Sequence, residues 1–202
     1  TVQALNDLSL CIDAGEIVAL TGPSGCGKTT LLNIIGSLDH PDAGTVTIKG
    51  KTLSAYNSLS AYRSLMVGFI FQFHHLIPSL TLVENVELPM YSLPLSPQQR
   101  RKKATDLLIE TGLEQRIYFY PPKVSGGERQ RAAIARSMVN DPEIILADEP
   151  TGSIDSLTGQ RVMGFLINRC HSQQTTLIIA THNPLIADMT QRTVSLQDGR
   201  VV

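Results

Sequence analysis

At 202 residues and 42% hydrophobic composition, the chain is long enough to bury one globular core, and a single domain of two lobes over residues 1–202 is expected. A formal net charge of -1 supplies neither a broad basic field for nucleic acid nor a polybasic tail for an anionic membrane, so no direct nucleic-acid partner is expected. No apolar run approaches the ~20 residues that span a bilayer, no secretory pattern opens the sequence, and the scattered Cys11, Cys26 and Cys170 form no disulfide framework, which points to a reducing cytosol. The first residue is Thr1 rather than Met, so further residues are expected beyond the ends.

Leu8–Ile12 alternates apolar and polar residues, as does Thr45–Ile48 after Pro41-Asp42-Ala43-Gly44, and both predict short half-buried strands of an antiparallel layer. Between them Ile17-Val18-Ala19-Leu20 predicts a buried strand. It leads into Gly22-Pro23-Ser24-Gly25-Cys26-Gly27-Lys28-Thr29-Thr30 and then the apolar helix Leu31-Leu32-Asn33-Ile34-Ile35. Strand, G-x-x-x-x-G-K-T turn and helix in that order make a P-loop. Bare glycine backbone lets successive N–H groups converge on phosphate oxygens, and a helix from about Thr29 adds the positive end of its dipole. Lys28 is placed to reach β- and γ-phosphates and Thr29 to offer its hydroxyl to Mg²⁺. Thr30 and the amides of Gly25, Cys26 and Gly27 line the cradle. An accidental glycine-rich turn is the competing reading, and the buried strand and apolar helix on either side disfavour it. Cys26 sits among amides that stabilise a thiolate. It is either a thiol whose alkylation blocks ATP binding or a side chain that fills the turn.

Lys51–Ser64 is polar, predicting loop and one short helix; Met66–Phe71 then reads as a buried strand ending at Gln72, where nucleotide chemistry is usually placed. Phe73-His74-His75-Leu76-Ile77-Pro78 predicts an exposed, partly apolar loop suited to a partner. Adjacent histidines point apart and rarely share one metal. Thr81 with Glu84 forms a capping-box pattern. Ser96-Pro97 opens the next helix, Ala104, Leu107, Leu108 and Thr111 face inward, and Gly112 closes it. Arg100-Arg101-Lys102-Lys103 in that helix reads as a solvated face, since no aromatic stacking platform accompanies it. Ser125-Gly126-Gly127 precedes a helix from about Arg129 to Val139 and offers a second anion-binding N-terminus. Glu143–Ala147 is a strand that delivers Asp148, suited to Mg²⁺ through water, and Glu149, suited to a general base for an attacking water. Leu157–Cys170 reads as helix, Thr175–Ala180 as a buried strand ending at Thr181-His182, and Val194–Val202 as a terminal hairpin around Asp198-Gly199. His182, as a lone histidine, reads as structural, and Asp155 and Asp188 have no assignment from pattern.

Taken together, the P-loop, Gln72, Val124-Ser125-Gly126-Gly127-Glu128-Arg129-Gln130-Arg131, Ile144–Glu149, Thr151–Asp155 and Thr181-His182 resemble the successive motifs of ABC transporter ATP-binding subunits, over essentially the whole chain. Gln72–Leu76, Glu84–Pro89 and Ala147–Gly152 look most like the lipoprotein-releasing and macrolide-efflux ATPases. The resemblance implies an α/β P-loop NTPase with a mainly parallel core sheet, an antiparallel β layer, and a helical lobe, about 73–140, that holds the Ser125 signature. It implies a homodimer or pseudo-dimer in which the P-loop of one copy faces Ser125, Gly126 and Gly127 of the other around ATP and Mg²⁺. Gln72 would sense Mg²⁺ and the γ-phosphate, Asp148 would hold Mg²⁺ through water, Glu149 would activate water, and His182 would fix the γ-phosphate. Asp155 would communicate across the dimer, and Phe73–Leu80 would meet an integral membrane transporter subunit from the cytoplasmic face of the membrane.

This chain departs from the family pattern in places. The aromatic residue that the family usually places upstream of the P-loop to stack on adenine is expected before Thr1, so base recognition has no assigned residue here. Val124 stands for the usual leucine, Glu128 for glutamine and Ser153-Ile154 for Asn-Leu, none of them a phosphate ligand. The rival reading is a soluble ABC-type ATPase acting as a nucleic-acid clamp or assembly factor; coiled-coil insertions or tandem cassettes would favour some of its members, and neither is present. Ordinary P-loop kinase chemistry leaves Ser125–Glu128 unexplained.

Overall fold

The computed structural model describes residues 3–152 and 154–202, without the side chain of Ser156. In chain order its elements are β1 (Ile17–Thr21), α1 (Lys28–Ile35), β2 (Thr47–Ile48), β3 (Lys51–Thr52), α2 (Leu59–Met66), β4 (Val67–Ile70), α3 (Leu82–Glu87) and α4 (Pro97–Glu110). There follow α5 (Gly126–Met138), β5 (Ile144–Asp148), α6 (Ser156–Gln173), β6 (Thr176–Ala180), α7 (Pro184–Ala187), β7 (Arg192–Gln197) and β8 (Arg200–Val201).

The main sheet runs β4-β5-β6-β1-β7-β8. Its first five strands are parallel, with Gly68 opposite Ile145, Ile145 opposite Leu177 and Val18 opposite Ile178; β8 folds back antiparallel on β7. Continuous apolar runs suit strands covered on both faces, and the two-residue period divides them between two cores. Ile17, Ile145, Ala147, Leu177 and Ile179 pack with residues of α3, α4, α5 and α6. Val18, Leu20, Ile144, Leu146 and Ile178 pack with Leu31, Leu32 and Ile35 of α1 and with Tyr62 of α2.

Three helices begin in reciprocal caps. Thr81 with Glu84, Ser96 with Gln99 and Ser125 with Glu128 each exchange side-chain bonds with backbone N–H groups, satisfying donors a bare helix start leaves open. The third corrects the sequence reading. α5 starts at Gly126 rather than near Arg129, because Ser-x-x-Glu is itself a capping box and Ser125 is its cap.

Two other expectations change. Leu8–Ile12 forms no strand, although Leu8, Leu10 and Ile12 do turn inward against the α1-side core; the alternation is real, but no ladder partner lies beside it among the described residues. The separate antiparallel layer is the short β2–β3 hairpin. The basic run of α4 is not a free solvated face. Arg101 pairs with buried Glu87, Lys102 with Asp106 at 2.8 Å and Lys103 with Asp141 at 2.6 Å. Arg100 donates to the Leu95 carbonyl at 2.6 Å and lies over the Tyr91 ring.

Candidate functional site

Parallel strands end on one edge of a sheet, so the residues that follow them gather there. The P-loop follows β1, Gln72 comes just beyond β4, Asp148 ends β5 with Glu149 next, and Thr181-His182 follows β6.

In the P-loop, Gly22 has φ 137° and Gly27 φ 105°. A Cβ at Gly22 would run into the Leu196 carbonyl, and one at Gly27 would lie 2.5 Å from the Ala4 carbonyl oxygen, so neither position admits another residue. Pro23, Ser24 and Gly25 form the exposed crest, and Thr30 lies in the first turn of α1. Lys28 spans the loop, its Nζ donating to the carbonyls of Gly22 at 2.8 Å and Pro23 at 3.0 Å. Cys26 is buried with Sγ 3.6 Å from Lys28 Nζ, which fits the turn-filling reading better than that of an open reactive thiol.

Thr29 Oγ1 donates to Asp148 Oδ2 at 3.0 Å, joining α1 to the end of β5. Burial raises the Asp148 carboxyl pKa, and the neighbouring Glu149 charge adds to the rise. A hydroxyl and a carboxylate, both hard oxygen donors, with the carboxylate poorly solvated, are a donor set that fits Mg²⁺.

Glu149 adopts a left-handed backbone, φ 44°, uncommon outside glycine. Its N–H donates to the Ala180 carbonyl at 2.9 Å, which fixes the turn against β6. Its Oε1 lies 2.7 Å from His182 Nδ1, and its Oε2 accepts the Thr181 hydroxyl at 3.5 Å. Thr181 was not assigned from sequence. It is fully buried and also accepts the Asn183 N–H at 3.1 Å, holding the turn that presents His182. Gln72 is exposed beside the Glu149–Gly152 turn, its Nε2 3.5 Å from where a Cβ on Gly152 would stand. With Thr29 and Asp148 it lines a cavity of about 270 Å³ that also borders Asn33, Phe71 and Phe73.

Thr29, Gln72, Asp148, Glu149 and His182 therefore lie on the P-loop edge. Ser125, Gly126 and Gly127 do not join them: among the described residues no hydrogen bond links them to the P-loop, and they lie outside the cavity that Thr29, Gln72 and Asp148 line. Ser125 Oγ accepts the Glu128 N–H at 3.2 Å, and Glu128 Oε2 accepts the Ser125 N–H at 2.7 Å. That backbone bond, with the Ser125 hydroxyl and nearby Arg116, holds the Glu128 carboxyl below its ordinary range. Asp155 caps α6, accepting the Thr158 N–H at 2.9 Å. In the motif Thr151–Asp155, Ser153 lies outside the described residues. Asp188 closes α7.

The loop after Gln72 is tied down from two helices. Asn85 of α3, fully buried, accepts the Ile77 N–H at 2.7 Å and donates to the carbonyls of Ile77, Leu80 and Thr81 at 3.0 to 3.1 Å. Arg136 of α5 donates to the carbonyls of His75 at 2.5 Å and His74 at 2.7 Å. Burial lowers its guanidinium pKa to about 10. No sequence signal singled out Arg136. The expected exposure of the loop holds at Phe73 and Ile77, 74% and 42% exposed, whereas His74 is buried.

A sequence model of the ABC transporter family matches residues 5–152. The chain belongs to the ABC transporter family. Within it, this ATPase subunit is similar to the ATP-binding protein YvrO of Bacillus subtilis (strain 168), 44% identical over all of this chain and 88% of that protein. The lipoprotein-releasing system ATP-binding protein LolD of Cytophaga hutchinsonii is also 44% identical, over all of this chain and 93% of that protein. The macrolide export ATP-binding/permease protein MacB of Photorhabdus laumondii matches at 44% over all of this chain, which spans 31% of MacB. Among solved structures, the dimeric ATP-binding cassette MJ0796 bound to ADP and Pi superposes with TM-score 0.91 at 41% identity, over 98% of this chain and 88% of that one. The ABC ATPase fold expected from the motifs is thereby found.

Proposed function

We propose that this ABC ATPase binds and hydrolyses ATP as one of two facing copies and powers an export transporter of the lipoprotein-releasing or macrolide-efflux kind. The supporting observation is the convergence of Thr29, Asp148, Glu149 and His182 at the ends of neighbouring parallel strands. We read residues 1–202 as one domain, with a helical lobe over about 73–140.

In this reading Lys28, Thr30 and the amides of Gly22–Gly27 cradle the phosphates, and the N-terminus of α1 faces their charge. Thr29 and Asp148, the latter through water, would hold Mg²⁺, with Gln72 alongside; the ion would offset charge on the phosphate oxygens. Glu149 accepts the proton of the attacking water. The His182 contact at 2.7 Å aims that carboxylate and leaves the other imidazole nitrogen to face the γ-phosphate. Ser125, Gly126 and Gly127 of the second copy complete the site. This accounts for a capped helix start that lies apart from the P-loop of its own chain, and the relative MJ0796 was solved as a dimer. The exposed Phe73 and Ile77 and an adjoining groove of about 430 Å³, bordered by Arg63, Phe69, Phe71, Pro89 and Asn140, would receive the membrane subunit at the cytoplasmic face. No helix among the described residues is long and apolar enough to cross a membrane.

Glu149→Gln should abolish ATP turnover while ATP-dependent dimers persist in light scattering; undiminished hydrolysis would sink the base assignment. Purification from membranes should recover an integral membrane subunit. Recovery of nucleic acid without one would instead support a clamp.

A further inference from the structure

We propose that Arg136 is a positioning residue for Gln72: by clamping two consecutive left-handed residues it sets the turn that carries Gln72 and ties that turn to the helix carrying Ser125. His74 and His75 have φ 63° and 47°, a conformation that side chains with a Cβ resist. Two such residues in succession need an external hold. Arg136 supplies it through two donor bonds from one planar group, 2.7 Å to His74 and 2.5 Å to His75. The two histidines also bond back along the loop, His74 N–H to the Phe71 carbonyl at 3.0 Å and His75 N–H to the Phe73 carbonyl at 2.7 Å. The turn therefore closes directly around Gln72.

At the other end of the same helix, Ser125 is the cap of α5, eleven residues before Arg136. At 1.5 Å per residue that is roughly 16 Å of continuous helix. A shift of α5 when Ser125 meets a phosphate is thus delivered to the Gln72 turn through a guanidinium fork rather than through flexible chain. Lysine keeps the charge but offers no planar fork, so it should hold one carbonyl at a time. The functional half of this inference rests on the reading of Gln72 and Ser125 given above; the clamp itself does not.

The two halves are tested separately. In the chain without nucleotide, Arg136→Lys should raise amide hydrogen exchange of residues 73–77 at least tenfold, with exchange in β1 and β5 unchanged. Exchange equal to wild type overturns the clamp. In turnover assays Arg136→Lys should lower kcat about tenfold while ATP binding to the monomer stays within twofold, and His75→Gly added to it should restore most of the loss, because glycine takes the left-handed turn without a hold. A loss that His75→Gly does not relieve overturns the positioning role. If Arg136→Lys does not fold, His75→Val, a β-branched residue forced to φ near 47°, should reproduce the kcat loss with ATP affinity kept, and normal turnover in that variant refutes the proposal. Gln72→Ala is the reference. Normal turnover there overturns the Gln72 reading and the functional half with it, while a loss in Gln72→Ala with normal turnover in Arg136→Lys overturns only the link through Arg136.

Discussion

Asn85 offers the cleanest test of how the loop after Gln72 is held. Its side chain makes four bonds, but they do not count equally. The carbonyls of Ile77 and Thr81 keep other partners when Asn85 is removed, because Leu80 N–H donates to the first at 3.2 Å and Asn85 N–H to the second at 2.9 Å. The Ile77 N–H and the Leu80 carbonyl lose their partner outright. Two stranded groups at about 1–3 kcal/mol each, taken toward the lower end because Ile77 is partly exposed, predict a loss of roughly 2–4 kcal/mol for Asn85→Ala. With a urea slope of about 1–3 kcal/mol per molar, the unfolding midpoint should fall by roughly 1–2 M at unchanged slope. Asn85→Asp discriminates the cause. It preserves size and the acceptor for Ile77 N–H, yet it turns a carboxylate oxygen toward three carbonyls and should therefore cost more than alanine. A midpoint shift for Asn85→Ala corresponding to under about 1 kcal/mol, or an aspartate variant as stable as wild type, would refute the view that donor bonds from Asn85 fix this loop.

Three further outcomes follow from the site electrostatics and thiol burial. Burial raises the Asp148 pKa in the folded chain, so its ionised form opposes folding above the unfolded pKa and that penalty lifts as pH falls through the folded value. Asp148→Asn should thus raise the Tm of the nucleotide-free protein at pH 7, with the advantage shrinking in acid, while Mg²⁺-dependent turnover is lost; a lower Tm at pH 7 contradicts the assignment. Glu128 has the opposite sign: its pKa is depressed, so its stabilising contribution is full above the ordinary glutamate range and disappears as pH falls through the folded value. Glu128→Gln should cost about 0.5–1 kcal/mol at pH 7 and nothing once pH is below that value, measured by denaturant titration at each pH. Cys11 is exposed, Cys26 is buried, and burial lifts the Cys170 thiol to about 12. A maleimide should label Cys11 first and the other two only on unfolding; early labelling of Cys26, read by peptide mass, would return it to the class of reactive P-loop thiols.

Most of the candidate site is legible in the sequence because its residues sit in contiguous motifs. Gly22–Thr30 is a strand, a turn and a helix start within a few residues, and Asp148-Glu149 follows its strand directly. Arg136 was not legible. Its partners are carbonyls at His74 and His75, some sixty positions earlier, and carbonyls carry no side-chain identity to read. The Ser125–Glu128 cap lay between: the spacing was present, but reading Ser-Gly-Gly as an anion site alone hid that Ser125 already caps α5.

By itself the sequence determined which segments are buried strands, where the P-loop turn lies and which oxygen- and nitrogen-bearing side chains follow the strands, because these depend on periods of two and 3.6 and on contiguous motifs. Only the tertiary structure decided that Thr29 meets Asp148 at 3.0 Å, that Glu149 meets His182 at 2.7 Å, and that Leu8–Ile12 joins no strand ladder among the described residues. Those outcomes depend on strand order, β4-β5-β6-β1-β7, which places side by side the ends of strands that lie far apart in sequence. Strand order follows from how two cores pack on opposite faces of one sheet, and packing is a property of the assembled layers rather than of any single stretch.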